Sequence, residues 1–354
     1  MLNNPDNLIC ERVDPVARLR GLPFTILMDK LLYGPVYFVL LAAVTICANV
    51  FAAELPMYVL CVLLGLYLSF FGKDYLPLLP VFVCCYISPS AGNNPGRHES
   101  SIFFGTSGLL LLVMVALFVV SLFFRLATDP VIGRKAFFTH KRALLPGILA
   151  LGAAYLLAGT GSGHYFAQKQ GNLVFAILQF LSVFLLYYVF SGAVRWDEAP
   201  KGYMAWSGMC IGFVLLFEII NIYLTQDVIV NGQINRYMFY TGWGQYNNIG
   251  AMLTMMIPFP FQLACDSKRS WLWYLCAVGF LLGVMLTCSR TSTVISIGIY
   301  LISCWLVMFK SRNRRIGLAV NGITLVAGVT VFLIFREQLS VLFASMFSNS
   351  DSLT

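Results

Sequence analysis

Two arginines, Arg236 and Arg290, stand where a basic side chain could do chemistry rather than merely solvate a surface. Arg290 lies between two long apolar runs, 271–288 and 294–309, with only Ser289 before it and the hydroxyls of Thr291, Ser292 and Thr293 after it. A charge at a tight turn between two apolar segments is costly to bury, which makes it a functional candidate by default. Arg236 sits in a polar, aromatic stretch, Asn231-Gly-Gln-Ile-Asn-Arg-Tyr-Met-Phe-Tyr-Thr-Gly-Trp-Gly-Gln-Tyr-Asn-Asn248, which leads straight into another apolar run. Guanidinium groups offer a planar fork of donors that matches phosphate oxygens. The first N–H groups of a helix have no intrahelical partner, and they attract the same ligand. Ser289 and Thr291 at one helix start, and Asn247 and Asn248 at the other, with Trp243 and Gln245 beside them, would complete two anion-binding ends able to hold a diphosphate. The competing expectation is that each arginine simply snorkels to lipid headgroups.

Glu218 is the third unusual residue, because it interrupts the apolar run 203–224 with Asn221 one turn further on. A carboxylate there should face other helices and have a partner. It is either an acid–base or proton-relay group, or a counter-charge orienting Arg236 or Arg290. The aromatics Tyr237, Phe239, Tyr240, Trp243 and Tyr246 suit either sugar stacking or an interfacial belt. His98 and His164 fall in outer loops and His140 in a cytoplasmic one, and all three read as surface residues.

These residues need a scaffold, and the composition says which kind. Of 354 residues, 59% are hydrophobic and 11% charged, and the mean hydropathy is +0.80. That predicts an all-α, polytopic transmembrane helix bundle and excludes a soluble enzyme. The apolar runs are too long, and apolar on too many faces, for a β-barrel. Eleven spans are predicted, near Leu31–Ala52, Pro56–Phe71, Tyr75–Ser88, Ile102–Phe124, Ala143–Thr160, Asn172–Val194, Tyr203–Leu224, Asn248–Cys265, Trp271–Cys288, Ser292–Phe309 and Ile316–Phe335. The third is short and carries Pro77 and Pro80, the marks of a broken or re-entrant segment.

With the N-terminus cytoplasmic, all of the 23 basic residues except Arg97, Lys169, Arg236, Arg290 and Arg336 fall in cytoplasmic segments, as the positive-inside rule requires. The net charge of +8 is therefore a topology signal, and no nucleic-acid partner is expected. Residues 1–30 form a cytoplasmic segment without a signal peptide, 31–335 the transmembrane domain, and 336–354 the start of an outer loop. In this frame the eighth and tenth spans, which carry the two arginines at their starts, both begin at the outer face. Most of the ten cysteines lie within spans, with no zinc-type spacing, so neither metal nor cofactor is expected.

At Arg236, Trp243-Gly244-Gln245-Tyr246-Asn247 and Thr287-Cys288-Ser289-Arg290 the chain resembles the O-antigen ligase and O-antigen polymerase superfamily of polytopic membrane glycosyltransferases. The recognisable region is 236–309. The family often has Asn or His where Gln245 stands, and Gly where Thr291 stands. The resemblance implies transfer of a glycan from an undecaprenyl-diphosphate carrier to an acceptor on the extracytoplasmic face of the plasma membrane, in surface polysaccharide biosynthesis. In that setting Arg290 and Arg236 would bind the diphosphate and neutralise charge on the leaving group. It also implies a large outer loop bearing a catalytic histidine after the last span. Because Thr354 stands where that loop would begin, a truncated frame, with the remainder as partner, is the expectation. Two other classes stay open, a flippase-like lipid-glycan transporter and an inactive membrane fragment or scaffold.

Overall fold

The computed structural model describes residues 19, 21–51, 54–87, 105–129, 145–161, 184, 187, 191–226, 228–230, 233–235, 238–241, 244–310 and 314–334. Its described elements are almost wholly helical. In chain order they are α1 (Pro23–Leu32), α2 (Pro35–Val50), α3 (Glu54–Phe70), α4 (Leu78–Ile87), α5 (Gly105–Thr128), α6 (Leu145–Gly161), a 3-10 turn (Trp196–Glu198) and α7 (Tyr203–Thr225). They continue with α8 (Tyr246–Met256), α9 (Pro258–Asp266), α10 (Ser270–Leu286), α11 (Arg290–Lys310) and α12 (Arg314–Ile334). Each predicted span coincides with helix except the sixth, most of which lies outside the described residues.

Among the described residues, four helical stretches are long and apolar enough to cross a bilayer: Gly108–Thr128, Tyr203–Thr225, Tyr246–Cys265 and Arg290–Val307. The pair α1 and α2 meets the same test as one broken span, bent by 71°. The first predicted span, Leu31–Ala52, falls mainly on α2, and the bent pair carries helix back to Pro23, ahead of that limit. Gly34 caps α2 with Pro35 at its first position, where a fixed φ and a missing N–H are harmless. A Cβ on Gly34 would lie 2.8 Å from the Lys30 carbonyl oxygen, so glycine is required at the bend. Pro258 likewise opens α9 directly after α8, within the run that forms the eighth span.

The helices turn large apolar side chains outward, among them Leu112, Val120 and Phe123 on α5 and Leu301, Ile302 and Trp305 on α11. Such a surface would aggregate in water and is the required exterior in a bilayer. The chain is a helical membrane protein.

The chain divides into two compact units. The first comprises Met1–Asp29, Leu63–Pro77 and Val115–Ala199. It is organised around Arg125, which the topology map places at the start of a cytoplasmic loop but which α5 carries fully inside, 1% exposed. Its guanidinium donates to the carbonyls of Leu68, Gly72 (2.8 Å) and Lys73 (2.6 Å), lies over the Tyr75 ring and pairs with Asp129 at 3.4 Å. These are carbonyls that a helix end leaves without an intrahelical donor, and the arginine satisfies them. Asp74 accepts from the N–H groups of Leu76 and Arg195, both at 3.0 Å, and Arg195 and Lys73 each reach Glu198.

The second unit comprises Lys30–Val62, Leu78–Met114 and Pro200–Thr354. Its centre is α7, packed against α2, α4, α8, α9 and α10, while α11 packs on α8, α9 and α10. Gly208 and Gly212 on α7 face the rings of Phe259 and Phe280, which lets α9 and α10 approach closely as small residues do between membrane helices.

Candidate functional site

The site is built where α8 and α11 start, both in the second unit. The connection from α7 to α8 contains two short antiparallel ladders, Ile229–Val230 (β1) with Gln233–Ile234 (β2), and Tyr240–Thr241 (β3) with Gly244–Gln245 (β4). Strand β4 runs directly into Tyr246, the first residue of α8. Phe239, fully buried, meets Tyr223 of α7 edge-to-face at 5.1 Å, which pins this connection to the end of α7. The Tyr223 hydroxyl donates to the Leu286 carbonyl at 2.8 Å, satisfying one of the last carbonyls of α10.

Helix α10 ends at Leu286, and the chain reverses through Thr287, Cys288 and Ser289. Cys288 has φ of +56° and is the sole non-glycine residue with positive φ among the described residues. A side chain in that region is strained by about 1–2 kcal/mol, a conformation normally left to glycine. Helix α11 then begins at Arg290, so Thr291, Ser292 and Thr293 form its first turn instead of lengthening a linker. Ser289 accepts the first backbone bond, from Thr293 N–H at 3.0 Å, and also the Thr293 hydroxyl at 2.8 Å.

A knot of small polar groups locks the two helix starts together. Ser289 Oγ donates to Asn247 Oδ1 at 2.9 Å and lies 2.9 Å from Ser292 Oγ. Ser292 Oγ in turn approaches the Asn247 carbonyl at 3.4 Å. One turn deeper, Thr254 of α8 donates to Gly250 at 2.7 Å and reaches the Ser292 carbonyl at 3.4 Å. Gly250 makes this possible, since a Cβ there would sit 2.9 Å from both Ser292 Oγ and Thr287 Oγ1.

Around the knot the candidate residues separate into two kinds. Ser289 is fully buried and Ser292 nearly so, and their hydroxyls are turned toward α8. Arg290 is half-buried, and Thr291, Asn247 and Asn248 are exposed. The accessible surface is therefore Arg290 and Thr291 from α11 beside Asn247 and Asn248 from α8. Two positive dipole ends meet there, and several backbone N–H groups of the two first turns lack an intrahelical acceptor. A compact anion, a carboxylate or a phosphate, is the kind of ligand that helix N-termini favour.

Arg236 and Trp243 lie outside the described residues, as do His98, His140 and His164, and for Gln245 only the backbone in β4 is described. Glu218 is 5% exposed on α7; its hydrogen bond runs to Asn49 of α2, Nδ2 to Oε1 at 2.6 Å. Sequence reasoning passed over Asn49, Tyr223, Gly250 and Thr254. A signal existed for Gly250 and Thr254, which with Asn247 line one face of α8 at helical spacing. For Asn49 there was none, because its partner is far away in the chain.

Compared with models of protein families, with characterised proteins and with solved structures, the chain matches none.

Proposed function

We propose that this protein is a membrane glycosyltransferase of the O-antigen ligase or polymerase type. It would act on a glycan carried by undecaprenyl diphosphate at the outer face of the plasma membrane. In the proposed reaction an acceptor hydroxyl oxygen attacks the anomeric carbon. The bond from that carbon to the diphosphate oxygen breaks, polyprenyl diphosphate leaves, and the hydroxyl proton passes to a base not assigned within this chain. Arg290 and Arg236 would grip the diphosphate and neutralise the charge that grows on it as the bond breaks. Thr291, Asn247, Asn248, Trp243 and Gln245 would orient the head group, and Ser289 would hold the two helix starts in register.

The observation that carries this reading is the bond between Ser289 and Asn247. It brings the start of α8, which follows Arg236 in the chain, next to the start of α11, which begins with Arg290. The strained turn at Cys288 is of the kind found where a side chain must be aimed. The eleven-span topology with a cytoplasmic N-terminus belongs to the same proposal, supported by the charge distribution. The test is glycan transfer in vesicles supplied with lipid-linked glycan and acceptor. Arg290→Ala should abolish transfer while leaving membrane insertion intact, and unchanged transfer would remove the assignment.

A lipid-glycan transporter is the second reading, favoured by the buried acid Glu218 and by the break between α1 and α2, since broken helices and interior acids mark transporters. Uptake of labelled substrate into vesicles, without acceptor, separates the two.

A further inference from the structure

We infer that Glu218 and Asn49 form a proton-binding site in the interior of the second unit, whose ligand is a single proton held on the Glu218 carboxyl. The inference is independent of the glycosyl-transfer proposal. Glu218 is 5% and Asn49 8% exposed, and Asn49 Nδ2 donates to Glu218 Oε1 at 2.6 Å. The other two oxygens of the pair, Glu218 Oε2 and Asn49 Oδ1, are buried and accept no hydrogen bond from the protein. Among the described residues a carboxylate here would have one neutral donor and no counter-charge, although burying an ion without one costs several kcal/mol. A proton on Oε2 removes the charge and supplies a donor beside two oxygens that accept no hydrogen bond from the protein.

A metal ion fits the site less well than a proton. Hard cations need about six oxygen ligands, and among the described residues no group of three or more acidic, Cys or His side chains is arranged to hold a metal ion. The groups facing the carboxyl are few. Cys84 approaches from α4, with Cys210 of α7 and Thr45 of α2 beside it. Thr45 already donates to the Leu41 carbonyl at 2.8 Å. The sequences of α2, α4, α8 and α10 contain no charged residue, and α9 has only Asp266, its last. The α7 end that meets α9 near Leu263 is its start at Gly202, roughly 24 Å along the helix from Glu218 at 1.5 Å per residue. Loss of the proton would therefore leave an uncompensated charge between α2, α4 and α7. Water or a cation would have to enter, so proton occupancy is tied to how tightly α2 and α4 close on α7.

The experiment is infrared spectroscopy of the full chain in lipid vesicles at neutral pH, in H2O and in D2O. The carbonyl stretch of a protonated carboxylic acid should be present, shift on deuteration, and disappear in Glu218→Gln. In Asn49→Ala, which keeps the carboxyl but removes its donor, the band should move to higher frequency. No carboxylic-acid band in the wild type at neutral pH would overturn the inference without reference to any variant. So would a band that survives Glu218→Gln, or one that Asn49→Ala leaves unmoved.

Discussion

Ser289, immediately before α11, and Asn247 of α8, 42 residues apart in sequence, are joined by a 2.9 Å hydrogen bond between their side chains. Because Ser289 is fully buried and Asn247 is exposed, this bond runs from the inside of the bundle to its rim and fixes where Arg290 emerges. Removing the hydroxyl with Ser289→Ala should cost about 1 kcal/mol of stability, the usual worth of a buried hydrogen bond, plus the penalty of any partner left unsatisfied. Transfer activity should fall without vanishing. Ser289→Ala and Asn247→Ala combined should destabilise by less than the sum of the two, since each removes the same bond. Thermal unfolding in detergent measures both quantities, and strict additivity would mean that the bond carries no coupling.

Gly250 decides how closely α8 approaches the α10–α11 turn. In Gly250→Ala the new methyl would meet Ser292 Oγ and Thr287 Oγ1, each at 2.9 Å, and the helices must separate by several tenths of an ångström. Overpacking of this kind costs about 1–3 kcal/mol. Arg290 should be displaced with its helix, so lipid-linked substrate should bind more weakly even in the fraction that stays folded. A variant with wild-type unfolding temperature and binding would contradict the packing described here.

Arg125 predicts a stability effect in the first unit. Arg125→Met deprives the carbonyls of Leu68, Gly72 and Lys73 of their donor and takes from the buried Asp129 the nearer of two guanidinium groups, Arg195 lying at 3.9 Å. Breaking a buried pair by removing one partner costs about 3–5 kcal/mol. The expected outcome is strongly reduced folded yield in membranes, rescued little by Arg125→Lys, whose single ammonium cannot span three carbonyls.

Glu198 carries the pH dependence. A hydrogen bond from the Lys73 ammonium, 2.7 Å away, and the nearby Arg195 guanidinium hold its carboxyl below the usual glutamate range. A lowered folded value contributes stability that is present above the unfolded value, about 4.3, and is lost as pH falls through the folded one. The pair is half-exposed, so solvent screening keeps the contribution small. Unfolding temperatures of wild type and Glu198→Gln should differ above that window, with wild type the more stable, and converge in stronger acid. Curves that stay parallel through the acid range would contradict the sign.

The helices were legible because a membrane helix announces itself in an uninterrupted apolar run, and α7, α10, α11 and α12 begin and end within about two residues of their predicted limits. The Gly34-Pro35 and Ile257-Pro258 steps could have flagged the two breaks, but each lies beside or within an apolar stretch that also reads as a continuous span. What hydropathy does not encode is which polar side chains find each other. Arg125 read as a loop cation because its acceptors are backbone carbonyls more than fifty residues earlier. Glu218 read as either an acid–base group or a counter-charge for an arginine, and neither reading pointed to Asn49, 169 residues away, to which its hydrogen bond goes. Ser289 was assigned to a ligand on its proximity to Arg290, but the register of α11 turns its hydroxyl to Asn247.

The central claim is that Arg290 and Arg236 grip one lipid diphosphate. Its most direct test is equilibrium binding of a short-chain polyprenyl diphosphate to the purified protein in vesicles, measured for wild type, Arg290→Ala, Arg236→Ala and the double variant. A charge-assisted bond to one phosphate is worth about 1.5–3 kcal/mol, so each single change should weaken binding by roughly tenfold or more. The double variant should lose less than the product of the two, because both arginines share the ligand. Wild-type affinity in either single variant would contradict the account.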